Sequence, residues 1–153
     1  MRARGAGGRR TARSSSCCRI LPDVFTQYFE RRHKVLLTRL SGTFDHADIM
    51  ALYASAERIV AREGPSLRSL QDFTGVETVD VQVGRIAQHG WRAQVVPGRQ
   101  RVMVVPQPEF QDLARMFAAL QRIADYDEPL IVRSLDEAYA LLDLTDPQFE
   151  LIK

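Results

Sequence analysis

The most regular pattern of apolar and polar positions lies between Asp45 and Gly64, where Ile49, Leu52, Ala56, Ile59 and Val60 recur at helical spacing and predict one buried face. Asp45 stands where an N-cap carboxylate accepts a bond from a free backbone N–H, and Asp48 adds favourable charge in the first turn. Gly64–Pro65 ends the helix. Before it, Phe25–Arg32 and Val35–Leu40 read as a strand pair around the polar link His33–Lys34, and Ser41–Gly42 closes the second strand.

The stretch Leu67–Ala87 organises the middle of the chain. Leu67–Phe73 reads as a strand, Thr74–Gly75 as a turn, and Val76 and Val79 as residues packing back inward. A short helix is expected from Asp80 to about Gln88, where Gly90 weakens it. Trp91–Gln100 connects onward with Pro97–Gly98 as its turn, and the apolar run Arg101–Pro106 predicts a buried central strand. Pro108 suits a first helical position and opens a helix to about Ala124, with Leu113, Met116, Phe117 and Leu120 as its apolar face. Leu130–Val132 follows as a short strand after Pro129. Ser134 with Glu137 forms a capping box for a last helix, with Ala138, Leu141 and Leu142 facing inward.

The resulting order, β-β-α-β-α-β-α-β-α, predicts an α/β fold. It comprises a mixed sheet of about five strands covered by about four helices, the helix-linked strands parallel with right-handed crossovers. The expected organisation is a disordered basic leader over 1–24, one domain over 25–144 and a C-terminal tail over 145–153 that follows Pro147.

Composition changes this picture in the leader alone. The 153 residues carry a net charge of +2, but the first 23 carry +5, from six arginines and Asp23, so the remainder carries −3. A mildly acidic folded part argues against nucleic-acid binding, which needs a basic face on the fold itself. The leader lacks the apolar region of a secretory or twin-arginine signal and the amphipathic helix of a transit peptide, and reads as a dispensable extension. Cys17 and Cys18 are adjacent, so they staple nothing, and neither lies beside a membrane helix that would favour acylation. No apolar run approaches the ~20 residues of a membrane span, and a reducing cytoplasmic setting is the expectation. The excess of nineteen arginines over two lysines is read as coding bias.

Four segments in order carry a resemblance. VLLTRLSGTFDHADI (Val35–Ile49), QDFTGVETVD (Gln71–Asp80), FQDLARMFAAL (Phe110–Leu120) and VRSLDEAYALL (Val132–Leu142) are similar to the strand–turn–helix, signature loop, Ala-Arg-Met-aromatic helix and final capped helix of the STAS superfamily. More narrowly, the chain resembles its SpoIIAA-like (STAS/SEC14) branch of stand-alone bacterial proteins, over roughly Tyr28–Leu142. The resemblance implies a STAS/SpoIIAA-like domain that works as a non-enzymatic regulatory or protein-interaction module. In anti-sigma-factor antagonists of this superfamily an acidic residue precedes paired serines, one of them phosphorylated. A helix N-terminus favours such an anion, and the added charge changes partner choice. Here Asp80 matches the acid but Val81 and Gln82 occupy the serine positions, which implies that the serine phospho-switch is absent.

Candidate sites follow. Thr74, Thr78, Asp80 and Gln82 form the candidate partner-binding surface, although Asp80 reads first as a helix cap and Thr74 and Thr78 as turn formers. Leu113, Met116 and Phe117 are ordinary core by spacing. The branch's kinship with lipid-binding folds makes them candidate lining for a small apolar or lipid-like ligand, held between the 110–123 helix and the sheet. Arg115 faces away from that stripe. His46 between Asp45 and Asp48 does not make a metal site, because consecutive residues at a helix start do not converge on one ion; His33 and His89 read as solvated. Asp125–Glu128 reads as a solvated acidic loop. No nucleophile elbow, phosphate loop, dinucleotide fingerprint or zinc motif is present, so no catalytic residue, metal or cofactor is expected. The expected partner is a protein, with an apolar ligand and a homodimer as further candidates and nucleic acid excluded.

Overall fold

The computed structural model describes residues 25–96 and 101–152. The expected leader, with Cys17 and Cys18, and the expected turn at Pro97–Gly98 lie outside the described residues. The elements are β1 (Phe25–Glu30), β2 (Val35–Asp45), α1 (His46–Glu63), β3 (Arg68–Asp80), α2 (Val83–Gly90), β4 (Arg101–Val104), α3 (Pro108–Ile123), β5 (Leu130–Val132), α4 (Leu135–Leu141) and β6 (Phe149–Leu151). They build one mixed sheet in the order β5-β4-β3-β2-β1-β6. β1 runs antiparallel to both its neighbours, whereas the β2–β3, β3–β4 and β4–β5 pairs, each joined through a helix, are parallel. The fold is the α/β architecture that the sequence predicts, with six strands rather than five.

The alternation of side chains along β2 divides the core between the two faces of the sheet. Val35 and Leu37 pack with Leu70, Val102 and Val104 against Ala138 and Leu142 of the α4 region. Leu36 and Leu40 face the other side, where α1, α2 and α3 lie. That helix-rich face carries two apolar clusters, one around Phe44, Phe73, Val105 and Ala114 and one around Phe29, Leu36, Ile59 and Leu67.

Several boundaries depart from the sequence pattern. β2 and β3 run on to Asp45 and Asp80, through the Ser41–Gly42 and Thr74–Gly75 segments expected to break them. Register shifts between Arg39 and Ser41 and between Gly42 and Thr43 absorb the irregularity, so pairing resumes as far as Asp45 opposite Asp80. Gly42 takes φ +70°, and a Cβ on Gly75 would lie 2.9 Å from the Leu40 carbonyl oxygen, so both glycines serve the bulged ladder rather than a turn. Because β3 stays paired through Asp80, α2 starts at Val83 with Gln82 at the N-cap and no side-chain cap bond. Asp80 is therefore a strand end and not a cap.

The capping of α1 follows the sequence: the Asp48 N–H donates to Asp45 Oδ1 at 3.0 Å and the Asp45 N–H donates to Asp48 Oδ2 at 2.7 Å. At α4 only half the expected box forms. The Glu137 N–H donates to Ser134 Oγ, while the Glu137 carboxylate accepts from the Arg133 N–H instead. Leu141, expected inside, is 44% exposed, while Ala138 and Leu142 are fully buried. The sixth strand, β6, lies in the expected tail and pairs with Tyr28–Glu30 of β1.

Candidate functional site

Between the sheet and helices α1, α2 and α3 lies a cavity of about 170 Å³. Its floor comes from β2, β3 and β4, on the face set by residues two apart along each strand. Leu36, Ser69 and Arg101 form one row across these strands, and Thr38, Gln71 and Met103 form the next. Leu52 and Ala56 of α1, Ile86 of α2, and Leu113, Ala114 and Phe117 of α3 complete an apolar wall.

Polar groups are distributed unevenly around this space. On the β1 side, Ser55 Oγ donates to Gln27 Oε1 and Gln27 Nε2 donates to Thr38 Oγ1 at 3.2 Å, so these three buried residues satisfy one another. On the opposite side, α2 is fastened to α3 by Gln121, whose amide donates to the carbonyls of Gly90 at 2.6 Å and Arg92 at 2.8 Å. Gln121 Oε1 in turn accepts from Arg101 Nη2 at 3.1 Å. The same Nη2 donates to the Asp127 carbonyl. Among the described residues no carboxylate pairs with Arg101, and its Nε and Nη1 have no hydrogen-bond partner. Burial lowers the affinity of this guanidinium for its proton, offset in part by Asp127 and Tyr53.

His89, at the end of α2, lies buried against the rings of His46 and Tyr53, at centroid distances of 5.4 and 5.3 Å. Burial first, then the neighbouring His46, Arg92 and Arg85, holds its imidazole below the usual range. Arg92 stacks its guanidinium 4.3 Å from the Tyr53 ring centre, and Gln94 Nε2 donates to the Tyr53 hydroxyl at 3.3 Å.

No protein-family model matches the chain, and no curated protein matches it. Among solved structures it is similar to the anti-sigma factor antagonist SpoIIAA in its unphosphorylated form. The likeness has 13% sequence identity and a TM-score of 0.47, and it covers 78% of this chain and 99% of that one.

Of the candidate ligand-lining residues, Leu113 and Phe117 face the cavity, and Met116 is half-buried outside the set that lines it. The buried side of α3 is centred on Gln111, Ala114, Ala118 and Gln121, one position away from the expected Leu113–Met116–Phe117–Leu120 stripe. Alanines bring the helix close to the sheet, and the glutamines reach backbone carbonyls, Gln111 that of Val105 at 2.8 Å. The larger apolar side chains flank this seam and wall the cavity. The candidate partner-binding residues Thr74, Thr78, Asp80 and Gln82 are all exposed along the distal half of β3 and the approach to α2. Val79, between two of them, points into the cavity.

The sequence reading missed Arg101, Tyr53, His89 and Gln121. His89 was expected to be solvated, yet it is only 9% exposed. A signal for Gln121 does exist: Gln111, Ala114, Ala118 and Gln121 share one helical phase, and a polar residue in such a phase demands a buried partner.

Proposed function

We propose that this chain is a non-enzymatic, cytoplasmic binding module whose cavity takes up one small apolar ligand. The observation that carries this reading is the space itself, about 170 Å³ walled by Leu52, Ala56, Phe73, Leu113 and Phe117. For comparison, a dry apolar cavity of ~150 Å³ binds benzene. A cavity with a mainly apolar wall and a few placed polar groups is the usual form of a small-molecule site. Native mass spectrometry of the purified chain tests it. An adduct of a few hundred daltons or less is expected, and Ala56→Phe, which fills the space, is expected to remove it while the fold persists. Absence of any adduct, together with no thermal stabilisation by a panel of small apolar compounds, would refute the reading.

A second reading concerns the exposed edge at Thr74, Thr78, Asp80 and Gln82 as a surface for a protein partner. It is favoured by these side chains being exposed with no side-chain hydrogen bond among the described residues. In this reading Val79 couples the edge to the cavity beneath it, so that ligand occupancy is presented to the partner. Capture from host lysate by the native chain and by a Thr78→Arg, Gln82→Arg double variant tests the surface. An unchanged set of captured proteins counts against it.

A further inference from the structure

We infer that the ligand of this cavity is an amphipathic monoanion: a small hydrocarbon body bearing one carboxylate, with the carboxylate seated on Arg101. The inference rests on the cavity reading above and adds the chemistry of the ligand's polar end.

The cavity has a polar end that its own residues leave unfinished. At the β1 side Ser55, Gln27 and Thr38 are joined to one another by hydrogen bonds, and none of them carries a charge. At the β4 side Arg101 is different. Its Nη2 is occupied by Gln121 and the Asp127 carbonyl, which fixes the guanidinium plane. Neither acceptor is an anion, and both take the same nitrogen. Nε and Nη1 stand without partners among the described residues on a side chain that lines the cavity. The Asp127 charge offsets the burial of this guanidinium only in part and without an ion pair, and a carboxylate in the cavity relieves the remaining cost through paired N–H···O bonds of matching geometry.

The neighbouring groups fit the same ligand. The Tyr53 hydroxyl, which accepts from Gln94, and Ser69, the strand partner of Arg101, line the same cavity and offer further hydroxyl donors. Asp127 reaches Arg101 through its backbone carbonyl, and its carboxylate does not pair with the cation. Away from this end the wall is apolar, formed by Leu113, Phe117 and their neighbours, which suits a hydrocarbon body and rejects a second charge. With about 170 Å³ of space, the body is a short alkyl chain or a single ring and not a long-chain lipid.

Calorimetric titration of the full chain at pH 7.5 with benzoate and with benzyl alcohol tests the inference, because the two probes share the single ring and differ in charge. Benzoate is expected to bind at least tenfold more tightly than benzyl alcohol. Arg101→Met is expected to abolish that preference while leaving benzyl alcohol affinity unchanged, and Arg101→Lys to retain part of it. Equal binding of the two probes by the native chain, or a preference that survives in Arg101→Met, overturns the carboxylate assignment and leaves the cavity reading standing. Binding of neither probe overturns both. Should Arg101→Met fail to fold, the two probes on the native chain and on Arg101→Lys still decide.

Discussion

The side-chain amide of Gln121 donates to the Gly90 carbonyl 31 residues away at 2.6 Å, and this one group ties the end of α2 to α3. Gly90 is part of the same joint: a Cβ there would lie 2.7 Å from Leu120 Cβ, so the two helices meet at backbone distance. Gln121 is fully buried, and its removal takes the side-chain donor from the Gly90 carbonyl, one of two such donors from the Arg92 carbonyl, which keeps Gln94, and an acceptor from Arg101. Gln121→Leu is therefore expected to destabilise the fold by about 3 kcal/mol, since each buried polar group left unpaired costs ~1–3 kcal/mol. Urea denaturation with a conserved slope is the measurement.

Two glycines separate backbone approach from conformational freedom. Gly75→Ala places a methyl group 2.9 Å from the Leu40 carbonyl oxygen in the bulged β2–β3 ladder, which has little room to yield. A loss of about 2 kcal/mol is expected, typical of overpacking. Gly84, in the first turn of α2, has nothing within 4 Å of an added Cβ. Gly84→Ala should raise stability by about 0.5 kcal/mol through helix propensity. Thermal melts of the two variants are expected to shift in opposite directions.

His89 makes stability depend on pH. Its imidazole resists protonation in the fold, so an unfolded chain binds the proton more readily. Stability is then fullest above the unfolded imidazole value of ~6.5 and is lost as pH falls from there through the lower folded value. Asp48 shifts in the opposite sense, its carboxyl raised by burial, and comparison with His89→Gln, which retains Asp48, separates the two contributions. Unfolding free energies at pH 7.5 and 5.5 should differ in the native chain, with a smaller difference in His89→Gln.

The reciprocal cap at Asp45 and Asp48 fixes where β2 hands over to α1. Asp45→Ala is expected to cost about 1 kcal/mol, and Asp45→Asn much less, because the amide oxygen still accepts from the Asp48 N–H. Chemical denaturation of the pair distinguishes loss of the bond from loss of charge.

What could be read from the sequence follows physical range. Local signals were sufficient for α1, where Asp45, the apolar phase and Gly64 agree, and for Pro108 at the head of α3. They failed for β3, because Thr74–Gly75 has the composition of a turn while the β2 strand beside it supplies a continuous ladder. β6 was invisible for the same reason: Phe149–Leu151 has no pattern of its own and is a strand only because β1 offers an open edge. At the site, Leu113 and Phe117 could be found from periodicity, since apolar spacing reports burial. Arg101 could not, because an arginine opening a strand carries no mark that its guanidinium turns inward beneath Gln121.

The pairing of β6 with β1 joins distant parts of the chain, and Arg31 with Glu150, an exposed ion pair beside it, spans 119 residues. During synthesis the outer edge of Tyr28–Glu30 therefore stays open long after the strand itself has left the ribosome. A chain stalled before Phe149 presents that edge to other nascent chains, and unpaired strand edges are templates for aggregation. Once closed, the sheet has as its outermost strands β5 and β6, of only three residues each. The last described strand thus acts as a stopper for the first.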